Sequence, residues 1–260
     1  MKNFIKLYWK TLVFFAVVGI VGGFFAGLYA LEGYPSELQQ QLADELAASG
    51  LGDFPVDIVI AVITAVQSAG YGLVLGAIGI FLAKKVGLWK GERNITPKPL
   101  LASVCVAIVG GLAMILLDIF YFANYSQAIA DSYLIKPSVV FMLASVTYGA
   151  VIEEVMMRLF AMSLVSFVLF KLFERKEEQP SNKMFVIANV VTALLFAVVH
   201  LPATVLMIGT SPTVIARCFL LNGGIGLLFG WLYRKYGLRY AMIAHGGCHV
   251  VSKLIWILFI

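Results

Sequence analysis

Charged side chains are scarce in this chain. Of its 260 residues only 13% are Asp, Glu, Lys or Arg, about half the share of a soluble globular domain, which argues against an ordinary water-soluble fold. Cysteine is rarer still: Cys105, Cys218 and Cys248 all lie in apolar segments, so a disulfide framework is excluded as the basis of the fold and little follows about redox compartment. There is no internal repeat, no low-complexity tract and no polar linker long enough to divide two domains, so residues 1–260 read as one integral-membrane domain. A concentrated basic patch is also missing. The net charge of +5 is spread over short loops and speaks to topology rather than to a nucleic-acid partner.

What fills the chain instead is apolar: 61% hydrophobic residues and a mean hydropathy of +0.94. A bilayer core of about 30 Å needs roughly 20 apolar residues per helix. Seven segments reach that length, about Leu12–Leu31, Val56–Ala83, Leu100–Phe122, Val139–Phe170, Met184–Ile208, Val214–Tyr233 and Tyr240–Phe259. The expected fold is an all-α polytopic membrane protein, a bundle of about seven to eight transmembrane helices. The first segment follows Lys2, Lys6 and Lys10, as in a signal peptide. Its apolar run is too long for one and no small-x-small cleavage site follows, so it reads as a retained helix. Ser36 to Gly50, with Leu38, Leu42 and Leu46 at i, i+4 and i+8, reads equally as an amphipathic surface helix or a solvated loop helix.

Cations fall in alternate loops. Lys2, Lys6 and Lys10 precede the first span, and Lys84, Lys85, Lys90, Arg93 and Lys98 follow the second. Lys171, Arg175, Lys176 and Lys183 follow the fourth, and Arg234, Lys235 and Arg239 the sixth. The positive-inside rule places these loops in the cytoplasm, which predicts a cell-membrane protein with its N-terminus inside and its C-terminus outside.

Against this background Glu153-Glu154-Val155-Met156-Met157-Arg158 stands out. The run from Pro137 to Phe170 holds no other ionisable residue except Tyr148. A charge near the bilayer centre costs ~3 kcal/mol or several times that, so the hexad marks a site. Glu154 and Arg158, at i and i+4, are placed to form a structural ion pair. Adjacent helical residues diverge by about 100°, which leaves Glu153 to point elsewhere. All three histidines also fall in spans. His200 sits two residues before Pro202, whose kink adds to the functional reading, and His245 and His249 share one helical face. A carboxylate can take a proton from water, while imidazoles can orient that water, stabilise an oxyanion or bind a metal.

Glu153-Glu154-x-x-x-Arg158, Phe196-x-x-x-His200 and His245-x-x-x-His249 resemble the three motifs of the CAAX protease and bacteriocin-processing (CPBP, or Abi) family of intramembrane endopeptidases, and among them the type II CAAX prenyl endopeptidases. The resemblance covers a motif-bearing core of about 137–260. It implies hydrolysis of a peptide bond within the bilayer, in a membrane-embedded or lipidated, prenylated or bacteriocin-like substrate. It further implies Glu153 as general base, His200 holding the water, and His245 with His249 at the oxyanion. The chain departs from the pattern at His249, where the prenyl-protein-processing members usually carry Asn. A His pair at i, i+4 can also chelate zinc, so the cofactor is either none or a single zinc ion held by His200, His245 and His249 with Glu153.

Other readings stand beside this one. A proton- or solute-coupled transporter could use Glu153 and the histidines as a relay, and a non-catalytic immunity or scaffold member would keep the fold without turnover. Asp118 reads as an interfacial residue and Arg217 as a snorkelling cation. Asn222-Gly223-Gly224-x-Gly226 reads as a place of close helix packing or a bend. One expectation conflicts with the site. His245 falls ~8 Å from the start of its span and His200 ~24 Å from the start of its own, on the same side of the membrane.

Overall fold

Side-chain caps fix where several of the long helices begin. Ser138 accepts a hydrogen bond from the Phe141 N–H at 2.9 Å, Ser181 from Met184 at 3.5 Å and Ser211 from Val214 at 3.3 Å. Each satisfies an amide that the first turn leaves free. The computed structural model describes residues 2–91 and 94–260, with side chains from residue 4 onward. Arg93 and the Lys2 side chain, both used in the topology argument, lie outside the described residues.

The elements are α1 (Lys2–Glu32), α2 (Ser36–Ala48), α3 (Val56–Lys85), α4 (Pro97–Asn124), α5 (Gln127–Ser132), α6 (Val139–Phe173), α7 (Asn182–Ile208), α8 (Pro212–Tyr236) and α9 (Leu238–Phe259). All except α2 and α5 are long and apolar enough to cross a membrane, and there is no strand among the described residues. The protein is an all-helical, multi-pass membrane protein. Ser36–Ala48 is helical and buries none of its residues, which fits the amphipathic and the solvated reading alike.

Without a hydrophobic drive between helices in lipid, close backbone approach and packing hold such a bundle together. Helix α1 presents Gly19, Gly23 and Gly27 to α3, where an added Cβ would fall within 2.6 Å of Ser68 O, Thr64 O and Ala61 Cα respectively. The main core joins Leu12 and Phe15 of α1, Val155, Leu159 and Met162 of α6, Phe229 and Tyr233 of α8, and Ala241, Ala244 and Cys248 of α9. Outward-facing positions such as Val17, Val66, Val109 and Val190 stay exposed, as a lipid-facing surface requires.

Two features of the backbone position the site. Helix α6 widens into π-helical turns over Ser145–Glu153 and Val155–Met162, a local geometry that recurs at functional sites. Helices α8 and α9 are joined at Gly237, whose φ of 110° is a conformation that favours glycine.

Candidate active site

Glu154 is the fully buried member of the carboxylate pair. Its Oε1 accepts a 3.0 Å hydrogen bond from His245 Nδ1, and its Oε2 lies 3.5 Å from Arg158 Nε. Arg158, also buried, donates through Nη2 to the Gly226 carbonyl at 3.1 Å. Its guanidinium lies over the Phe196 ring at 4.8 Å and the Phe229 ring at 5.7 Å. Glycine at 226 suits that approach, because a Cβ there would fall 3.2 Å from Nη2 and 3.3 Å from Phe196, and one of them would have to give by a few tenths of an ångström. The glycine-rich stretch of α8 thus receives the arginine of α6.

Glu153 is placed differently. Its side chain keeps 20% of its exposure and that of His200 keeps 30%. Glu153 Oε2 lies 3.7 Å from His200 Nε2 and 3.9 Å from His245 Nε2. His200 Nδ1 is 2.8 Å from the Phe196 carbonyl. A carbonyl or carboxylate oxygen only accepts, so Nδ1 carries a proton in both His200 and His245, and the Nε2 of each ring, a lone pair in the neutral form, faces Glu153. The His245 ring is fixed between Phe229, stacked at 4.6 Å, and Phe196, edge-on at 5.8 Å. The wide turns of α6 bring both carboxylates to opposite nitrogens of this one imidazole, rather than to separate surroundings as the 100° rule implied.

His249 packs 5.1 Å from His245, centroid to centroid. Its Nδ1 lies 3.2 Å from Lys253 Nζ, and Lys253, 3% exposed, stands 3.9 Å over the Phe141 ring. A Cβ on Gly149 would sit 3.5 Å from His249 Nε2 and 3.9 Å from His245 Nε2, so the missing side chain leaves a small open space where both rings point. Sequence reasoning passed over Lys253 and Gly149. A lone lysine one helical turn beyond His249, inside an apolar span, was the available signal for the first, whereas nothing local marks Gly149.

The two histidines meet despite their unequal depths. His200 lies ~27 Å along α7 from Asn182 and His245 ~10 Å along α9 from Leu238. Helix α9 therefore starts nearer the level of the site, at the Gly237 turn. A three-histidine zinc centre does not fit: His249 turns one nitrogen to a lysine, and no group of three or more His, Cys, Asp or Glu among the described residues is placed to hold a metal ion. Two cavities, of about 250 and 420 Å³, open beside Lys90 among Trp89, Trp231 and Arg234, and neither is lined by a residue of the site.

Arg217, read as a snorkelling cation, and Asp118, read as an interfacial residue, are paired with each other. Arg217 Nε and Nη2 reach Asp118 Oδ1 and Oδ2 at 2.6 and 2.5 Å, and the Tyr133 hydroxyl donates to Oδ2 at 2.7 Å. With a partner inside the bundle, the guanidinium has no need of the headgroups. Burial, reinforced by the Asp118 carboxylate, holds the Tyr133 phenol pKa well above its usual value and keeps it a donor.

Residues 135–251 match the family described as type II CAAX prenyl endopeptidase Rce1-like. The matched segment holds Glu153, His200, His245 and His249, and the match is consistent with the CPBP resemblance. No curated protein and no solved structure matches the chain.

Proposed function

We propose, from the Rce1-like domain and the geometry it encloses, that this protein is an intramembrane endopeptidase in which Glu153 activates water. The observation that carries the reading is the convergence of His200 Nε2 and His245 Nε2 on Glu153 Oε2, at 3.7 and 3.9 Å, in a partly open spot within an otherwise apolar bundle. Those separations suit groups that share a water rather than a direct bond. One water hydrogen goes to Glu153 and the other to the His200 lone pair, while His245 borders the same point from the other side.

Glu153 takes the proton as the water oxygen attacks the scissile carbonyl, and returns it to the departing amine nitrogen. The oxyanion formed in the attack needs a donor. A neutral His245, with its proton committed to Glu154, offers none through Nε2, so donation passes to His249, whose Nε2 borders the space beside Gly149. Glu154 and Arg158 fix the His245 ring and serve as its structural support.

The substrate is a peptide segment anchored in the membrane, by a prenyl group or by its own apolar stretch. N-terminus-in topology in the cell membrane is part of this proposal and rests on the loop cations. Purified protein in detergent, offered a panel of prenylated and membrane-spanning fluorogenic peptides, should cleave at least one of them and lose that activity in Glu153→Gln. A panel left uncleaved by well-folded protein would favour a non-catalytic member of the same fold.

A further inference from the structure

We propose that Lys253 is a positioning residue that sets the tautomer of His249, so that the imidazole presents an Nε2–H to the reacting carbonyl. The inference rests on the reading of His249 as oxyanion donor and adds the group that makes it one. An isolated neutral imidazole can protonate either nitrogen, and only one of its two tautomers has the donor on Nε2. The other two histidines of the site have their tautomers fixed by an acceptor at Nδ1, which leaves Nε2 a lone pair. His249 is the exception, because the atom facing its Nδ1 at 3.2 Å is a lysine nitrogen. An ammonium has three donors and no acceptor, so it can satisfy Nδ1 only as a lone pair, and the ring proton is driven to Nε2.

The surroundings support the ammonium form. Lys253 Nζ stands 3.9 Å over the face of Phe141, a position that favours a cation. The site then holds two carboxylates and two basic side chains, Arg158 beside Glu154 and Lys253 beside His249. An asparagine amide carries its own N–H and needs no such partner. Histidine at position 249 does need one, and a lysine one turn further along α9 supplies it.

The test has an arm that does not depend on turnover. Histidine-labelled protein in detergent, studied by ¹⁵N NMR with His249→Asn to assign the signal, should show His249 protonated at Nε2 and bare at Nδ1. A proton on Nδ1 in the wild-type spectrum would overturn the proposal, whatever the enzyme cleaves. In kinetics, Lys253→Met should lower kcat by roughly the 10²-fold typical of one lost oxyanion donor, with KM little changed. In the His249→Asn background the same substitution should change kcat by no more than about threefold, since coupled residues are non-additive. Equal losses in both backgrounds would mean that Lys253 acts through its charge or the fold, not through His249. Lys253→Arg, which keeps donors and adds no acceptor, should retain the Nε2–H signal should Lys253→Met fail to fold.

Discussion

Two charged clusters are buried in this bundle, and they are satisfied to different degrees. Where α4 meets α8, Asp118 is 1% exposed and both its oxygens are taken by Arg217, with Tyr133 adding a third donor. Between α6, α7 and α9, Glu153 faces two imidazole nitrogens at separations too long for a direct hydrogen bond, and its side chain stays partly exposed. The first cluster has both carboxylate oxygens engaged, which suits a role in tying helices together. The second keeps its strongest acceptors unsaturated, and that open capacity makes chemistry possible. Glu154 lies between the two cases: next to Glu153 in sequence, it is wholly buried and engaged by His245 and Arg158.

The contrast is broken most directly at Glu153. Glu153→Gln should cut cleavage by 10²-fold or more, the usual contribution of a general base, with the thermal midpoint in detergent near wild type. Retention of more than about a tenth of the activity would remove Glu153 from the role. Arg217→Met should do the reverse. Leaving Asp118 buried without its partner should lower stability by ~3–5 kcal/mol, measured by unfolding in detergent, while activity per folded molecule holds. Adding Asp118→Asn should recover part of the loss, and no recovery would mean that the pair is not what the substitution disturbed. Arg158→Met with Glu154→Gln offers the same cycle inside the site, where recovery of stability should come without recovery of activity, because His245 loses its anchor.

Gly149→Ala sharpens the comparison by filling the open space alone. The added methyl fits the resting structure at ordinary contact distance and should leave stability unchanged or raised by up to about 1 kcal/mol. Cleavage should fall tenfold or more, since a misplacement of about 1 Å can cost that much. Wild-type activity in Gly149→Ala would move the carbonyl site elsewhere. The smallest effect belongs to the exposed turn before α7, where Glu174 accepts from the Ser181 N–H and hydroxyl at 2.8 and 2.6 Å. These bonds hold its carboxyl below the ordinary value of 4.5. A depressed carboxylate contributes stability above its unfolded pKa and loses it as pH falls through the folded one. Glu174→Gln should therefore be slightly less stable than wild type at pH 7, and the difference should close in acid.

The sequence by itself determined the seven apolar helices, because lipid imposes length and apolarity on any segment that spans it, and both are local properties. It also marked the hexad and the three histidines, because charge and imidazole are conspicuous where apolar residues are the rule. Tertiary structure alone decided how they pair. The π turns of α6 and the Gly237 turn place Glu153, Glu154, His200 and His245 at one level, and no spacing along a single helix encodes that depth. Arg217 looked like a snorkelling cation until Asp118, far away in the chain, met it inside the bundle. Lys253 stood out in sequence as a lone lysine in an apolar span, but its burial did not, for the same physical reason: whether a charge is buried, and what then satisfies it, depends on the helices packed around it as well as on its neighbours in sequence.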